Sequence, residues 1–235
     1  PLGFLHYYLL PNPSRRPLPS AMAENNHGKK VVDSFTIRET GEVVRAGDCV
    51  AIRPSMDDDH ENLSLARVEK METCCECRGV AAQVRWYYQP WQTKHGSRTF
   101  HGKKELHLSD RIDTRSAYTF EAKCVVHTLK EYSKLTTAQP EDFFCRLEYK
   151  VDSATFMPDQ LSVYCICEMP YNPDVPMILC PGCKERFHPS CVHVDIKQAK
   201  NLDSFVCPIC VPEKCSKQLP NVHAPSPNNK RKAFH

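Results

Sequence analysis

The sequence predicts a mainly β protein, in which a barrel-like domain precedes a small domain cross-braced by two zinc ions. Between residues 34 and 156, β-branched and aromatic side chains recur at alternate positions, and short turn signals interrupt them, as expected of strands. The 14 cysteines include close pairs that, together with one histidine, have the spacing of zinc ligands. At 235 residues and 41% hydrophobic composition, the chain can bury the cores of two domains.

Five segments of the β-rich region carry the strongest strand pattern. Their spacing favours a small barrel-like core over parallel βαβ units, and helix is scarce among them. The predicted strands are Asp48–Arg53, Leu65–Glu69, Ala81–Tyr88, Lys123–Leu129 and Phe143–Tyr149.

Composition divides the chain into four predicted parts. These are a disordered N-terminal segment over 1–33, a β-rich domain over 34–160, a zinc domain over 161–213 and a disordered basic tail over 214–235.

Both ends of the chain leave an alternative open. The first 21 residues contain no methionine and precede Met22, so residues 1–21 are either upstream read-through or a natural disordered tail. The tail carries the basic cluster Lys230-Arg231-Lys232, which is either a short nuclear localisation signal or a solvated run of charge.

Charge and hydropathy exclude several classes of protein. A formal net charge of +3 is too small to indicate a nucleic-acid groove, and we identify no sequence-specific nucleic-acid site. No apolar run approaches the roughly 18 residues that a membrane span needs. Cysteines grouped in zinc-type pairs favour metal in a reducing compartment over disulfides.

Eight residues over 165–210 have the spacing of two interleaved zinc sites. A close pair of thiolates can occupy two corners of one tetrahedron, and folding brings in the second pair. We assign Cys165, Cys167, His188 and Cys191 to one ion and Cys180, Cys183, Cys207 and Cys210 to the other.

Four protein ligands per ion leave no coordination position for water or substrate. Such a zinc ion cannot activate a nucleophile, and its role is to stabilise a segment too short to build its own core. We therefore expect two structural zinc ions and no enzymatic activity.

The order of the ligands resembles that of PHD fingers. His188 is the fifth ligand, after four cysteines and before three more, whereas RING domains of ubiquitin ligases place the histidine fourth. The resemblance favours a peptide-binding module over a ligase.

Six strings in the β-rich half resemble the bromo-adjacent homology (BAH) domain, and they follow its order along the chain. A BAH domain directly followed by a PHD finger is similar to the plant BAH–PHD histone reader family typified by Short Life and Early Bolting in Short Days, over roughly residues 34–213. The strings are Gly47-Asp48-Cys49-Val50, Ala66-Arg67-Val68-Glu69-Lys70, Val84-Arg85-Trp86-Tyr87-Tyr88-Gln89-Pro90, Lys103-Lys104-Glu105-Leu106, Lys123-Cys124-Val125-Val126 and Phe143-Phe144-Cys145-Arg146.

The resemblance implies a nuclear chromatin regulator that binds histone H3 tails. In the family, the BAH domain binds trimethylated lysine 27 and the PHD finger binds methylated lysine 4. The implied role is control of transcription, including developmental timing such as flowering, with other chromatin regulators as further partners.

Methyl-lysine binding needs a cage of aromatic rings, because a methylated ammonium keeps its charge but loses hydration and hydrogen-bond donors. The family's BAH cage maps onto Ser64, Trp86 and Tyr88. The first position is a tyrosine in the family, so one aromatic wall is missing here. Trp86 and Tyr88 alternate along a predicted strand and should share one face, where they either form a cage or fill the core.

The cage of the finger maps by the same resemblance onto Tyr164, Tyr171 and Arg186, with Met177 near the groove. Arg186 stands where the family has a tryptophan, and its positive charge should repel a trimethylammonium group. Peptide binding by strand addition beside Met177-Ile178-Leu179 would survive this change, since it uses the main chain.

Two interpretations therefore remain. The chain is either a histone H3 reader with weakened or changed specificity, or a degenerate paralogue that acts as a nuclear interaction scaffold without methyl-lysine binding.

Overall fold

The computed structural model describes residues 29–54, 63–74, 79–195, 205–211 and 230–232. The chain forms two compact units: the first contains the residues up to 97 together with 104–157, and the second contains 98–103 and the residues from 158 onward. This division differs from the predicted boundary at 160 and assigns the short segment 98–103 to the second unit. Within the described ranges, no helix is long and apolar enough to cross a membrane.

The regular structure of the first unit is mainly β-strand, as the sequence predicts. Among its described residues, the one α-helix is α1 (Leu129–Tyr132), which begins at a capping box in which Thr128 and Glu131 exchange hydrogen bonds. The strands are β1 (Phe35–Thr36), β2 (Val43–Val44), β3 (Cys49–Ile52), β4 (Ser64–Cys74), β5 (Gly79–Tyr88), β6 (Glu105–Ser116), β7 (Phe120–Thr128), β8 (Asp142–Lys150) and β9 (Thr155–Met157).

Six of these strands close into a barrel. The hydrogen-bonded order is β6-β5-β4-β3-β7-β8-β9, and a further pairing between β6 and β8 joins the ends. The pairs β7–β8 and β6–β8 are parallel, whereas the other neighbours in this order are antiparallel. Closure leaves β9 as the added edge strand.

Apolar side chains cover both faces of the barrel wall. One cluster receives side chains from all six barrel strands, and we assign it to the interior; its buried members are Ala51, Leu65, Tyr87, Leu106, Leu108, Cys124 and Phe143.

A second cluster lies on the other face of β3, β4 and β5. The segment that carries β1 and β2 covers it, with Ile37 and Val44 buried there, and Phe120 at the start of β7 is 1% exposed. Trp86 packs against this cluster and is half-buried. The predicted cage tryptophan therefore lies on the outside of the barrel.

The longest strand of the barrel, β6, is the one that the sequence analysis missed. Its first five residues are all buried and its next five are all exposed, so it lacks the alternation that identifies a strand with one covered face. Glu105 at its start is fully buried and accepts hydrogen bonds from Arg146 Nε and Nη2 at 2.7 and 3.0 Å.

The second unit contains short strands and turns. Its strands are β10 (Gln160–Tyr164), β11 (Met169–Pro170), β12 (Ile178–Leu179), β13 (Arg186–Phe187) and β14 (Lys230–Lys232). Strand β10 pairs with β11 and β14, and β12 pairs with β13, all antiparallel. The segment 98–103 is held by the side-chain amide of Asn172, which donates to the carbonyls of Thr99 and His101 at 3.1 Å each.

The structure differs from the predicted disordered tail at one place. Residues 230–232 form strand β14, whose register sets Lys232 opposite Gln160 and Lys230 opposite Ser162. Main-chain pairing does not depend on the side-chain sequence, so a polar composition gave no signal for it. The predicted disorder over 1–33 is also wrong at residues 30–32, where the N–H of Thr73 donates to the carbonyl of Lys30 at 2.8 Å and the N–H of Val32 to that of Met71 at 2.9 Å. Residues 1–28, 212–229 and 233–235, on which the other terminal predictions fall, lie outside the described residues.

Candidate zinc centres and peptide-binding sites

The structure brings the eight predicted zinc ligands together in two groups of four. Within each group, the ligand atoms all lie within 4.8 Å of one another. The groups are Cys165, Cys167, His188 and Cys191, and Cys180, Cys183, Cys207 and Cys210. These are the same two sets that the interleaved spacing predicts.

Distances within the first group fit a tetrahedral ion. The Nδ1 atom of His188 lies 3.3 Å from the Sγ atom of Cys167 and 3.9 Å from that of Cys191. Zinc bonds of about 2.3 Å to sulfur and 2.0 Å to nitrogen place such neighbouring ligands roughly 3.5 Å apart. Nδ1 is therefore the imidazole atom that faces the ion position.

The second group has the spacing of a four-thiolate site. The Sγ atoms of Cys183 and Cys207 are 3.7 Å apart, close to the edge of a zinc–sulfur tetrahedron. The pair Cys180 and Cys183 encloses Gly182, where an added Cβ would lie 3.1 Å from the Sγ atom of Cys210. A larger residue at 182 would crowd the ligand set.

Strained backbone positions accompany these turns. Cys165 has a φ of 62° and Lys184 one of 61°, in the left-handed region that residues other than glycine rarely adopt. Such a conformation costs about 1 kcal/mol or more per residue, and the surrounding structure has to offset it. Ligand bonds to zinc supply that compensation.

The pKa shifts of two ligand thiols fit a site that binds a cation. Burial raises the pKa of Cys180, but N–H groups of Cys183, Cys207 and Gly182 donate to its sulfur and lower its pKa to about 6 overall. Burial and the neighbouring Cys165 raise the pKa of Cys167 to about 12. Crowded thiols that resist joint ionisation gain most from a divalent cation, which permits all of them to be thiolates.

The donor sets of the finger thus fit two structural zinc ions. Three of the five buried residues in its hydrophobic core are the ligands Cys165, Cys180 and Cys207, and the other two are aromatic. Phe187 and Phe205 are both buried and make an edge-to-face contact with centroids 6.1 Å apart.

The predicted BAH cage residues lie on two neighbouring strands of the first unit. Trp86 and Tyr88 belong to β5, and Ser64 begins β4, the strand that pairs Ala66 with Trp86. Because side chains alternate along a strand, Trp86 and Tyr88 share the outer face of the barrel.

The three positions differ in their surroundings. Ser64 and Tyr88 are only 6% and 7% exposed, and the ring of Tyr88 lies 6.0 Å from that of Tyr149. Burial raises the pKa of Tyr88. Tyr88 therefore packs against an aromatic neighbour that the sequence analysis did not identify.

A guanidinium group faces the indole of Trp86. The Cζ atom of Arg115 lies 5.3 Å from the ring centroid, and Arg115 Nε donates to the Asp113 carboxylate at 3.1 Å. Both residues belong to β6, whose pairing with β5 shifts register between Arg85 and Tyr87. Sequence reasoning missed Arg115 because it missed the strand that carries it.

The predicted cage residues of the finger also lie together. The rings of Tyr164 and Tyr171 are 6.4 Å apart at an interplanar angle of 73°. The Cζ atom of Arg186 lies 6.0 Å from the centroid of Tyr171. Arg186 is exposed, and its strand position opposite Leu179 sets it beside β12.

Strand β12 provides the predicted edge for an added peptide strand. Among the described residues it pairs only with β13, and Leu179 is 53% exposed. Met177 packs partly buried against the core of the finger.

Comparisons with known proteins agree with both halves of the chain. The model of the BAH domain family matches residues 42–173, and that of the PHD-finger family matches residues 165–210. The two matches cover the β-rich half and the whole zinc-ligand array.

Two proteins of Arabidopsis thaliana resemble this chain over most of its length. Chromatin remodeling protein EBS is 47% identical over 209 residues, which cover 89% of this chain and 88% of that protein. Chromatin remodeling protein SHL is 41% identical over 213 residues, 90% of each chain. By contrast, the Xenopus tropicalis lysine-specific demethylase 7A is 40% identical over 73 residues, which cover 31% of this chain and 7% of the demethylase and share only the finger region.

Proposed function

Since the chain belongs to the family of BAH–PHD proteins that includes EBS and SHL, we propose that it is a non-catalytic, nuclear, chromatin-binding regulator that reads histone H3 tails. Two structural zinc ions with complete protein ligand sets stabilise the finger and take no part in chemistry. The resemblance to a demethylase is restricted to the finger and supports no transfer of enzymatic activity.

One observation carries the proposal for the BAH domain: the ring of Trp86 already faces a cation. A ring that attracts the guanidinium of Arg115 from 5.3 Å is positioned to attract a trimethylammonium group by the same quadrupole. Trp86 would form the open wall of the site and Tyr88 its base. Ser64 adds no ring, so we propose weak binding of trimethylated lysine 27 of histone H3.

The finger would bind the tail differently. Strand addition beside Met177-Ile178-Leu179 relies on main-chain hydrogen bonds and tolerates loss of the cage. The charge of Arg186 near Tyr171 opposes a trimethylammonium group at the same ring. We therefore propose that the finger contributes tail binding with reduced preference for methylated lysine 4.

Titration of the full zinc-loaded chain with histone H3 peptides tests the BAH proposal. The peptides differ only in methylation at lysines 4, 9 and 27. Removing the indole should lower affinity for the lysine 27 trimethyl peptide at least tenfold in Trp86→Ala. Trp91→Ala is the matched control, because Trp91 is the only other tryptophan and lies in the 3-10 helix Pro90–Gln92, outside the predicted cage positions. Unchanged affinity in Trp86→Ala would refute the cage assignment.

The same titration tests the finger through Arg186→Trp. An indole in place of the guanidinium should raise affinity for the lysine 4 trimethyl peptide about two- to thirtyfold, the range of one cation–π contact of about 0.5–2 kcal/mol. Arg186→Ala removes the charge without adding a ring and should give a smaller gain. Equal affinities in all three proteins would show that this ring position does not contact the modified lysine.

A scaffold without methyl-lysine binding is the second candidate. The observation that favours it is that each predicted aromatic site has an arginine of the same chain beside it, Arg115 in the barrel and Arg186 in the finger. A parent protein that binds no peptide of the panel would support the scaffold.

A further inference from the structure

The residue Arg115 lies in the predicted BAH site but belongs to no predicted cage position. Its guanidinium covers the indole of Trp86 at 5.3 Å, and its side chain is largely buried, with 21% exposed. The Asp113 carboxylate accepts a hydrogen bond from its Nε at 3.1 Å. The arginine is therefore held over the ring from its own strand.

The register of the sheet explains how Arg115 reaches the ring. On β6 it lies opposite Ala82 of β5, and Asp113 lies opposite Val84. Residues 82, 84 and 86 alternate onto one face of β5, so the side chains of Asp113 and Arg115 lie on the same outer face as Trp86.

We propose that Arg115 is an internal competitor for the aromatic face of Trp86 and sets the affinity of the BAH site for methylated lysine. The inference rests on the proposed function, because it requires that Trp86 bind a cationic ligand. A guanidinium and a trimethylammonium group cannot occupy one ring face together. The ligand must displace Arg115, and its apparent affinity falls by the fraction of molecules in which the ring is covered.

Competition of this kind makes a quantitative prediction about selectivity. Since the same covered fraction applies to every ligand, removing Arg115 should raise affinity for mono-, di- and trimethylated peptides by the same factor. One exposed cation–π contact corresponds to roughly a two- to fivefold change in affinity. Arg115 thus sets the strength of binding and leaves the preference among methylation states unchanged.

The chain offers a direct test of the ring contact that does not involve histone. Trp86 and Trp91 are its only tryptophans, so Trp91→Phe leaves Trp86 as the sole indole. In that background, Arg115→Gln should increase acrylamide quenching of the Trp86 emission, since the ring loses its cover. The matched control is Arg38→Gln, because Arg38 lies 5.7 Å from the ring of Tyr118 and makes a comparable contact elsewhere in the same unit.

Titration of the full zinc-loaded chain with lysine 27 methyl peptides completes the experiment. We expect Arg115→Gln to bind two- to fivefold more tightly than the parent, and Arg38→Gln to bind as the parent does. Arg115→Lys keeps the charge but stacks less well, so it should show part of the gain. If Arg115→Lys and the parent bind with identical affinity, charge repulsion and not coverage of the ring explains the effect of Arg115. That result would overturn the proposal.

Two failures can be told apart. If the parent and Arg115→Gln bind the trimethyl peptide equally well, the inference is wrong and the proposed BAH function stands. If neither protein binds any peptide, the proposed BAH function fails and the inference fails with it.

Discussion

The two units are stabilised by different means. The barrel buries aliphatic and aromatic side chains on both faces of its wall, including eleven fully buried residues in the outer cluster alone. Among the described residues, the hydrophobic cluster of the finger has five buried members, three of which are zinc-ligand cysteines. The barrel therefore carries its own hydrophobic core, whereas the finger depends on metal ligation for stability.

Metal removal should destabilise one unit and not the other, and this is the largest difference that we expect between them. Structural zinc in small fingers contributes about 10–16 kcal/mol of apparent binding free energy at neutral pH, far more than the apolar core of this finger can replace. Excess EDTA should therefore unfold residues 165–210 and leave the barrel folded. Hydrogen exchange followed by mass spectrometry, resolved by segment, measures both units in one sample.

The two tryptophans supply an internal control for that experiment. Both Trp86 and Trp91 belong to the first unit, so their emission reports on the barrel alone. Emission should stay constant as the finger loses protection. Persistent protection of 165–210 in EDTA would contradict the dependence on zinc, and a red shift in emission would contradict the independence of the barrel.

The barrel should be most sensitive at its buried ion pair. Glu105 and Arg146 have side chains 0% and 8% exposed, and Glu105→Gln removes the carboxylate charge that this buried guanidinium faces. Breaking a buried pair in this way costs about 3–5 kcal/mol of unfolding free energy. Urea denaturation followed by tryptophan emission measures the loss.

A second ion pair in the same unit provides the matched control. Arg53 and Glu121 are 55% and 27% exposed, so Glu121→Gln should cost less than about 1 kcal/mol. Equal losses in Glu105→Gln and Glu121→Gln would show that burial does not set the cost of breaking these pairs.

The same difference between the units explains which of their features could be predicted from the sequence. Ligand spacing specified both zinc groups, because cysteine pairs have few other uses in such a pattern. Three of the predicted strands, Leu65–Glu69, Ala81–Tyr88 and Phe143–Tyr149, lie within observed ones, because alternating residues there face a covered and a less covered side. Asp48–Arg53 runs one residue past each end of β3, and Lys123–Leu129 overlaps β7 but runs one residue past its end.

Three features had no local signal in the sequence. Strand β6 is buried on both faces over residues 105–109 and exposed on both over 110–114, a pattern set by barrel closure rather than by alternation. The contact of Arg115 with Trp86 depends on the register between β5 and β6, which is a long-range property. Strand β14 likewise arises from main-chain pairing with β10.

A smaller effect, the loss of unfolding free energy at acid pH, should also distinguish the barrel from the finger. In the barrel, His127 Nε2 lies 2.8 Å from the Asp142 carboxylate. The backbone N–H of Gln139 donates to the same carboxylate at 2.8 Å. The hydrogen bond from His127 lowers the pKa of Asp142 below its usual value, with the Gln139 amide as the next cause. Asp142 therefore contributes stability that is fully present above about pH 4 and is lost as the pH falls through its lowered pKa.

Urea midpoints of tryptophan emission at pH 6 and pH 3 measure this contribution in the barrel alone, even where acid releases zinc from the finger. The parent should lose more stability between these two values than Asp142→Asn, because the variant has no carboxylate to protonate. Asp33→Asn, which alters an exposed carboxylate of the same unit, should follow the parent. Parallel losses in the parent and Asp142→Asn would mean that the His127–Asp142 pair does not stabilise the barrel, and its acid sensitivity would then have to come from other carboxylates.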